Sequence, residues 1–130
     1  MMVRREAMEQ VGLLDEGFFM YCEEVDWARR LREAGWAIFC VPSAEVVHFE
    51  GQSTRQFRES MFVALWRSRM RLFAKHEGRF YNWAVRRILL AGLWAEDRRA
   101  RRRALDDPAA QTALAGRLTA YQQVRGLARG

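Results

Sequence analysis

A chain of 130 residues, half of them apolar and including five Trp and eight Phe, carries enough apolar surface for a core of its own. That aromatic content excludes a disordered chain, and no apolar run approaches the roughly 18 residues that a membrane span needs. The net charge of +6 conceals a split: residues 1–52 carry five Arg against ten Asp/Glu, net −5, whereas residues 53–130 carry 17 Arg/Lys against six Asp/Glu, net +11.

The opening Met1-Met2-Val3-Arg4-Arg5-Glu6 lacks the apolar core of a signal peptide. From Arg4 to Gln10 the spacing of Ala7, Met8 and Val11 predicts a short helix, stopped by Gly12. Asp15-Glu16-Gly17 reads as a turn, and Phe18-Phe19-Met20-Tyr21 as an apolar plug. A second helix is expected from Glu23 to just before Gly35, which suits a left-handed C-terminal cap. Its inward face would carry Trp27, Ala28, Leu31 and Ala34. Trp36 to Val41 is short, apolar and flanked by Gly and Pro, so it predicts a strand, with a second extended piece from Glu45 to Phe49.

Beyond Ser53 the apolar period becomes helical. Ser53 or Thr54 would cap a long helix that reaches Lys75 and stops near Gly78. Another is expected from Arg79 to Trp94, followed by five arginines in the six residues Arg98 to Arg103. Asp107-Pro108 marks a break, and a weakly amphipathic helix should run from Ala109 to about Leu127. The fold class expected is therefore α+β and mainly helical, with a short strand pair beside an acidic helix. Region 1–52 would form one part and the basic helical region 53–130 the other.

Cys22 and Cys40 are too far apart for a C-x-x-C pair and too few for a metal cage. Free thiols in a reducing cytoplasm are the expectation, with a disulfide across a sheet–helix layer as the alternative. Glu23, Glu24 and Asp26 open the second helix, where acids ordinarily complement the positive end of the helix dipole. Here four bulky apolar residues precede them, and a carboxylate against an apolar wall becomes a better general base.

The run Asp15-Glu16-Gly17-Phe18-Phe19-Met20-Tyr21-Cys22-Glu23-Glu24-Val25-Asp26, with a helix ending in Gly35-Trp36, closely resembles the acceptor-side half of family 2 glycosyltransferases of the GT-A fold. The likeness covers about the first 55 residues, and Arg69 to Gly78 adds a weaker one to the bacterial rhamnosyltransferase-like branch. The resemblance implies inverting transfer of a sugar from a nucleotide-sugar to a glycan or lipid-linked acceptor. It assigns the catalytic base to Glu24, with Asp26 as the alternative, and substrate contacts to Glu23, Tyr21 and Trp27. It also implies that His48, after the strand, helps to hold Mg²⁺ or Mn²⁺ with the nucleotide diphosphate. The partner Asp-x-Asp ligands and the Gly-rich nucleotide-binding half do not occur in this chain. The expectation is thus an inactive acceptor-side portion, with no metal held tightly by these residues alone.

Taken alone, His48 reads as a structural histidine, and the Arg98–Arg103 cluster as a solvated helix face or a linker. A second function class stays open: a non-catalytic module held at an anionic membrane surface, such as the inner face of the plasma membrane, or at a protein partner, a homo-oligomer included. Nucleic acid is disfavoured, because no recognised binding motif accompanies the charge.

Overall fold

The computed structural model describes residues 1–47 and 57–130. Five helices make up its regular structure: α1 (Arg5–Val11), α2 (Glu23–Glu33), α3 (Arg58–His76), α4 (Arg79–Asp106) and α5 (Pro108–Arg129). Ser53, Thr54 and His48 lie outside the described residues.

The first two helices meet at right-sized apolar surfaces. Ala7 of α1 packs against Trp27 and Leu31 of α2, with Met8, Val11 and Trp36 around them. Gly12 ends α1 with φ of 82°, a left-handed value that glycine adopts without steric cost, and its N–H donates to the Met8 carbonyl. The freed Gly12 carbonyl accepts from the Trp27 indole N–H at 2.8 Å. Gly35, with φ of 89°, closes α2 in the expected way, and Trp36 N–H donates back to the Leu31 carbonyl at 2.9 Å.

The other three helices form a bundle. Val63 of α3, Leu89 and Leu93 of α4, and Ala120, Val124 and Ala128 of α5 are all buried together, with Phe62, Trp66, Met70 and Tyr121 filling the margins. Small residues on α5 let it approach both neighbours closely. Asp107 alone joins α4 to α5. Its side chain accepts from Ala109 N–H at 2.9 Å, and Pro108 takes the first helical position, where a missing N–H costs nothing.

Two expectations need correction. The strand pair is absent: among the described residues there is no strand, and Trp36 to Val41 has no regular structure. A strand is stabilised by the ladder to its neighbour, and none of the described residues offers one. Ile38, Phe39 and Val41 accordingly stay exposed. The described part of the second piece, 45–47, is also irregular, while residues 48 and 49 lie outside the description. The fold as described is all helical rather than α+β.

The arginine-rich segment is the second correction. It does not follow α4 but continues it, so the helix runs unbroken to Asp106. No proline interrupts it, Gly92 is tolerated within it, and Asp97 pairs with Arg101 one turn on. Asp97 also takes Arg125 of α5 at 3.0 Å, which ties the extended end of α4 to the bundle.

Candidate functional site

The acidic segment sits where the two parts of the chain meet. Phe18 is buried and lies beneath two cations of α3: the Arg71 guanidinium is 5.3 Å and the Lys75 ammonium 5.9 Å from its ring centre. Phe19 points outward, and Met20 offers its carbonyl to the buried hydroxyl of Ser68 at 2.7 Å. Tyr21 and Cys22 then both take left-handed backbone angles, φ of 70° and 69°. Each such residue costs on the order of 1 kcal/mol when it is not glycine. The contacts of Phe18 and Met20 to α3 hold this turn, and the turn sets the direction in which α2 starts. Burial raises the pKa of the Cys22 thiol despite the nearby Arg69.

The three acids of the first turn of α2 have different surroundings. Glu24 is exposed. Glu23 is half-buried, and its Oε2 is buried with no hydrogen-bond partner among the described residues. Asp26 is fully buried. Its Oδ1 accepts from His76 Nε2 at 2.7 Å and from Lys75 Nζ at 2.8 Å. Its Oδ2 accepts from Arg30 Nε at 2.8 Å and from Lys75 at 3.0 Å. A carboxylate has about four lone-pair sites, and here they are used. Burial alone would raise the Asp26 pKa, but the hydrogen bonds from Lys75, His76 and Arg30 outweigh it and hold the pKa below the usual carboxylate range.

The network widens around Lys75 and Arg30. Lys75 bridges Asp26 to Asp15, which also accepts from Arg71 at 2.9 Å and from Gly17 N–H at 2.8 Å. These donors, Lys75 first, depress the Asp15 pKa strongly. Lys75 itself loses solvation, yet its two carboxylate partners raise its pKa overall. Arg30 reaches back to the carbonyls of Val11 and Leu13, so one guanidinium ties α2 to the loop after α1. A second tie joins Arg29 of α2 to Glu77 and to the His76 carbonyl at the end of α3.

The geometry therefore sorts the residues singled out in the sequence. Glu24 faces outward at the start of α2, with Glu23 and Tyr21 half-buried just before it. Asp26 faces inward and joins α2 to α3. Trp27 packs in the α1–α2 core, its indole N–H already donated to Gly12. The groups that complete the junction, Arg30, Ser68, Arg71, Lys75 and His76, were not identified as functional from sequence. Their one signal was the Arg69–Gly78 motif, which contains Arg71, Lys75 and His76. Among the described residues no group of His, Cys, Asp or Glu could hold a metal ion. The two most clustered carboxylates, Asp15 and Asp26, are neutralised by Arg and Lys instead.

Against this geometry the similarities to known proteins fall into place. Over 54 residues the chain is 54% identical to the N-acetylglucosaminyl-diphospho-decaprenol L-rhamnosyltransferase of Mycobacterium tuberculosis, found in two strains. That match covers 42% of this chain and 18% of the relative. The rhamnosyltransferase WbbL of Escherichia coli is 33% identical over 75 residues, covering 58% of this chain and 28% of the relative. The chain is similar to part of each of these glycosyltransferases. It spans less than a third of the length of the curated relatives it matches. No family model matches the chain, and no solved structure matches it.

Proposed function

We propose that this chain is the acceptor-side portion of an inverting glycosyltransferase that moves a sugar, L-rhamnose in the nearest chemistry, from a nucleotide-sugar to a lipid-linked glycan acceptor. The observation that carries the reading is the division of labour among the acids of α2, in a chain that is similar in part to rhamnosyltransferases. Glu24 is exposed at the start of α2, whereas Asp26 is fully buried and saturated by Lys75, His76 and Arg30. Glu24 would act as the general base that deprotonates the acceptor hydroxyl as it attacks the anomeric carbon. Glu23, with one oxygen unpartnered among the described residues, and Tyr21 beside it would contact the acceptor. Asp26 and Trp27 would act indirectly, by fixing the start of α2 to α3 and α1.

Dependence on Mg²⁺ or Mn²⁺ belongs to this proposal through His48 alone, since the described residues form no metal cluster. A cytoplasmic setting fits the two free thiols, Cys22 and Cys40.

The proposal requires the nucleotide-sugar to be bound by residues other than these. Incubated alone with a panel of nucleotide-sugars, Mn²⁺ and a lipid-linked acceptor, the chain is expected to give no transfer above buffer hydrolysis. Measurable turnover would show that these 130 residues hold a complete donor site, and the portion reading would be abandoned.

A further inference from the structure

The outward side of α4 combines exposed aromatic side chains with arginines. Its inner side, Leu89, Leu93 and Ala100, is buried in the bundle. Opposite lie Phe80, Trp83, Trp94 and Leu105, which are 79, 54, 58 and 84% exposed. Arg87, Arg98, Arg101 and Arg102 fall among them, at helical spacings of three, four or seven that keep all eight on one face. Two arginines stack on the tryptophans: Arg87 lies 5.8 Å from the Trp83 ring and Arg98 4.7 Å from that of Trp94. Phe80 stacks on Trp83. Two acids border the face: Asp97, which pairs with Arg101 and with Arg125 of α5, and exposed Asp106 at the end of α4; Glu96 projects to the side. Arg99 and Arg103, though part of the same sequence cluster, turn away from it. At about 1.5 Å per residue, the face extends roughly 40 Å.

We infer that this face of α4 docks the protein on an anionic lipid surface, with α4 lying in the plane of the membrane. No described helix is long and apolar enough to cross a bilayer. Tryptophan and phenylalanine suit the headgroup–acyl boundary, where one edge of the ring is wet and the other apolar. The arginines beside them meet anionic headgroups, and their stems run along the rings. A protein partner would be expected to meet acids as well as arginines on so long a face; lipid phosphate requires only cations and apolar side chains. The inference does not depend on the transferase reading, since it uses none of the residues of the acidic segment.

Co-sedimentation of the whole chain with vesicles tests it. Binding is expected to vesicles of phosphatidylcholine with phosphatidylglycerol, and little to phosphatidylcholine alone. It should vanish near 1 M salt, where the Debye length falls to about 3 Å. Changing Arg87, Arg98, Arg101 and Arg102 to Gln should weaken binding roughly a hundredfold or more, since each basic residue at the surface contributes about fivefold. Changing Arg4, Arg5, Arg32 and Arg67 to Gln removes the same charge from outside α4 and should keep most of the binding. Brominated lipids should quench tryptophan fluorescence, and Trp83→Phe with Trp94→Phe should abolish that quenching. All of these side chains are exposed, so circular dichroism should be unchanged. Failure to bind either vesicle, an equal loss in both arginine variants, or a loss of self-association in place of lipid binding would overturn the assignment.

Discussion

Asp26→Asn is expected to lower folding stability by about 3 kcal/mol, the cost of breaking a buried ion pair from one side. The figure sits at the low end of that range because the Lys75 and Arg30 side chains keep 33% and 20% exposure and recover some hydration. The carboxylate is fully buried and joins α2 to the end of α3. Asn offers one acceptor oxygen in place of two, and its amide N–H groups would face cations. Thermal melts followed by circular dichroism would show the loss as a fall of roughly 10 °C in Tm. The same group makes the fold acid-sensitive. Its folded pKa lies below the unfolded value of about 3.9, so its contribution is complete above that pH and lost as pH falls through the folded pKa. Asp15 acts in the same direction. Stability should therefore decline below about pH 4, and Asp26→Asn should flatten that decline. A melting temperature unchanged at neutral pH would remove Asp26 from its anchoring role.

The second large effect concerns activity. In a chimera in which these residues replace the matching part of the E. coli relative, Glu24→Gln is expected to cut kcat by about 10²–10⁴, the usual effect of losing a general base. Donor binding and Tm should hardly change, because Glu24 is exposed and makes no ion pair in the described structure. Asp26→Asn should show the opposite pattern, a large fall in Tm with activity lost mainly as the fold loosens. If Asp26→Asn abolishes kcat in a chimera of unchanged Tm, while Glu24→Gln is mild, the base is Asp26.

Much of the helical plan was legible from residue pattern. The positions of α1 and α2 follow from apolar spacing and from Gly12 and Gly35, which end them, and Gly35 takes the left-handed angle its placement implied. Of the inward face predicted for α2, Trp27 and Leu31 are buried, while Ala34 lies past the helix end and is exposed. The strand was misread because six apolar residues between Gly and Pro satisfy a strand pattern whether or not a partner strand exists. The end of α4 was misread because a dense arginine run looks like a linker, whereas Glu96 and Asp97 just before it pair with Arg99 and Arg101 and support the helix. The junction around Asp26 was not legible at all. Only the Asp26–Arg30 contact is local; Lys75 and His76 arrive from 49 and 50 residues away. Nothing in local periodicity distinguishes a carboxylate that will be saturated by such partners from one left free, as Glu24 is.

The most direct measurement is acceptor-dependent sugar transfer by that chimera. Radiolabelled L-rhamnose is supplied as the nucleotide-sugar, and its appearance on a diphospho-polyprenol-linked acceptor is followed. The account predicts transfer by the chimera that is lost with Glu24→Gln and retained, in proportion to the folded fraction, with Asp26→Asn. A chimera that melts cooperatively and binds the nucleotide-sugar, yet transfers nothing or transfers equally well without the Glu24 carboxylate, would contradict it.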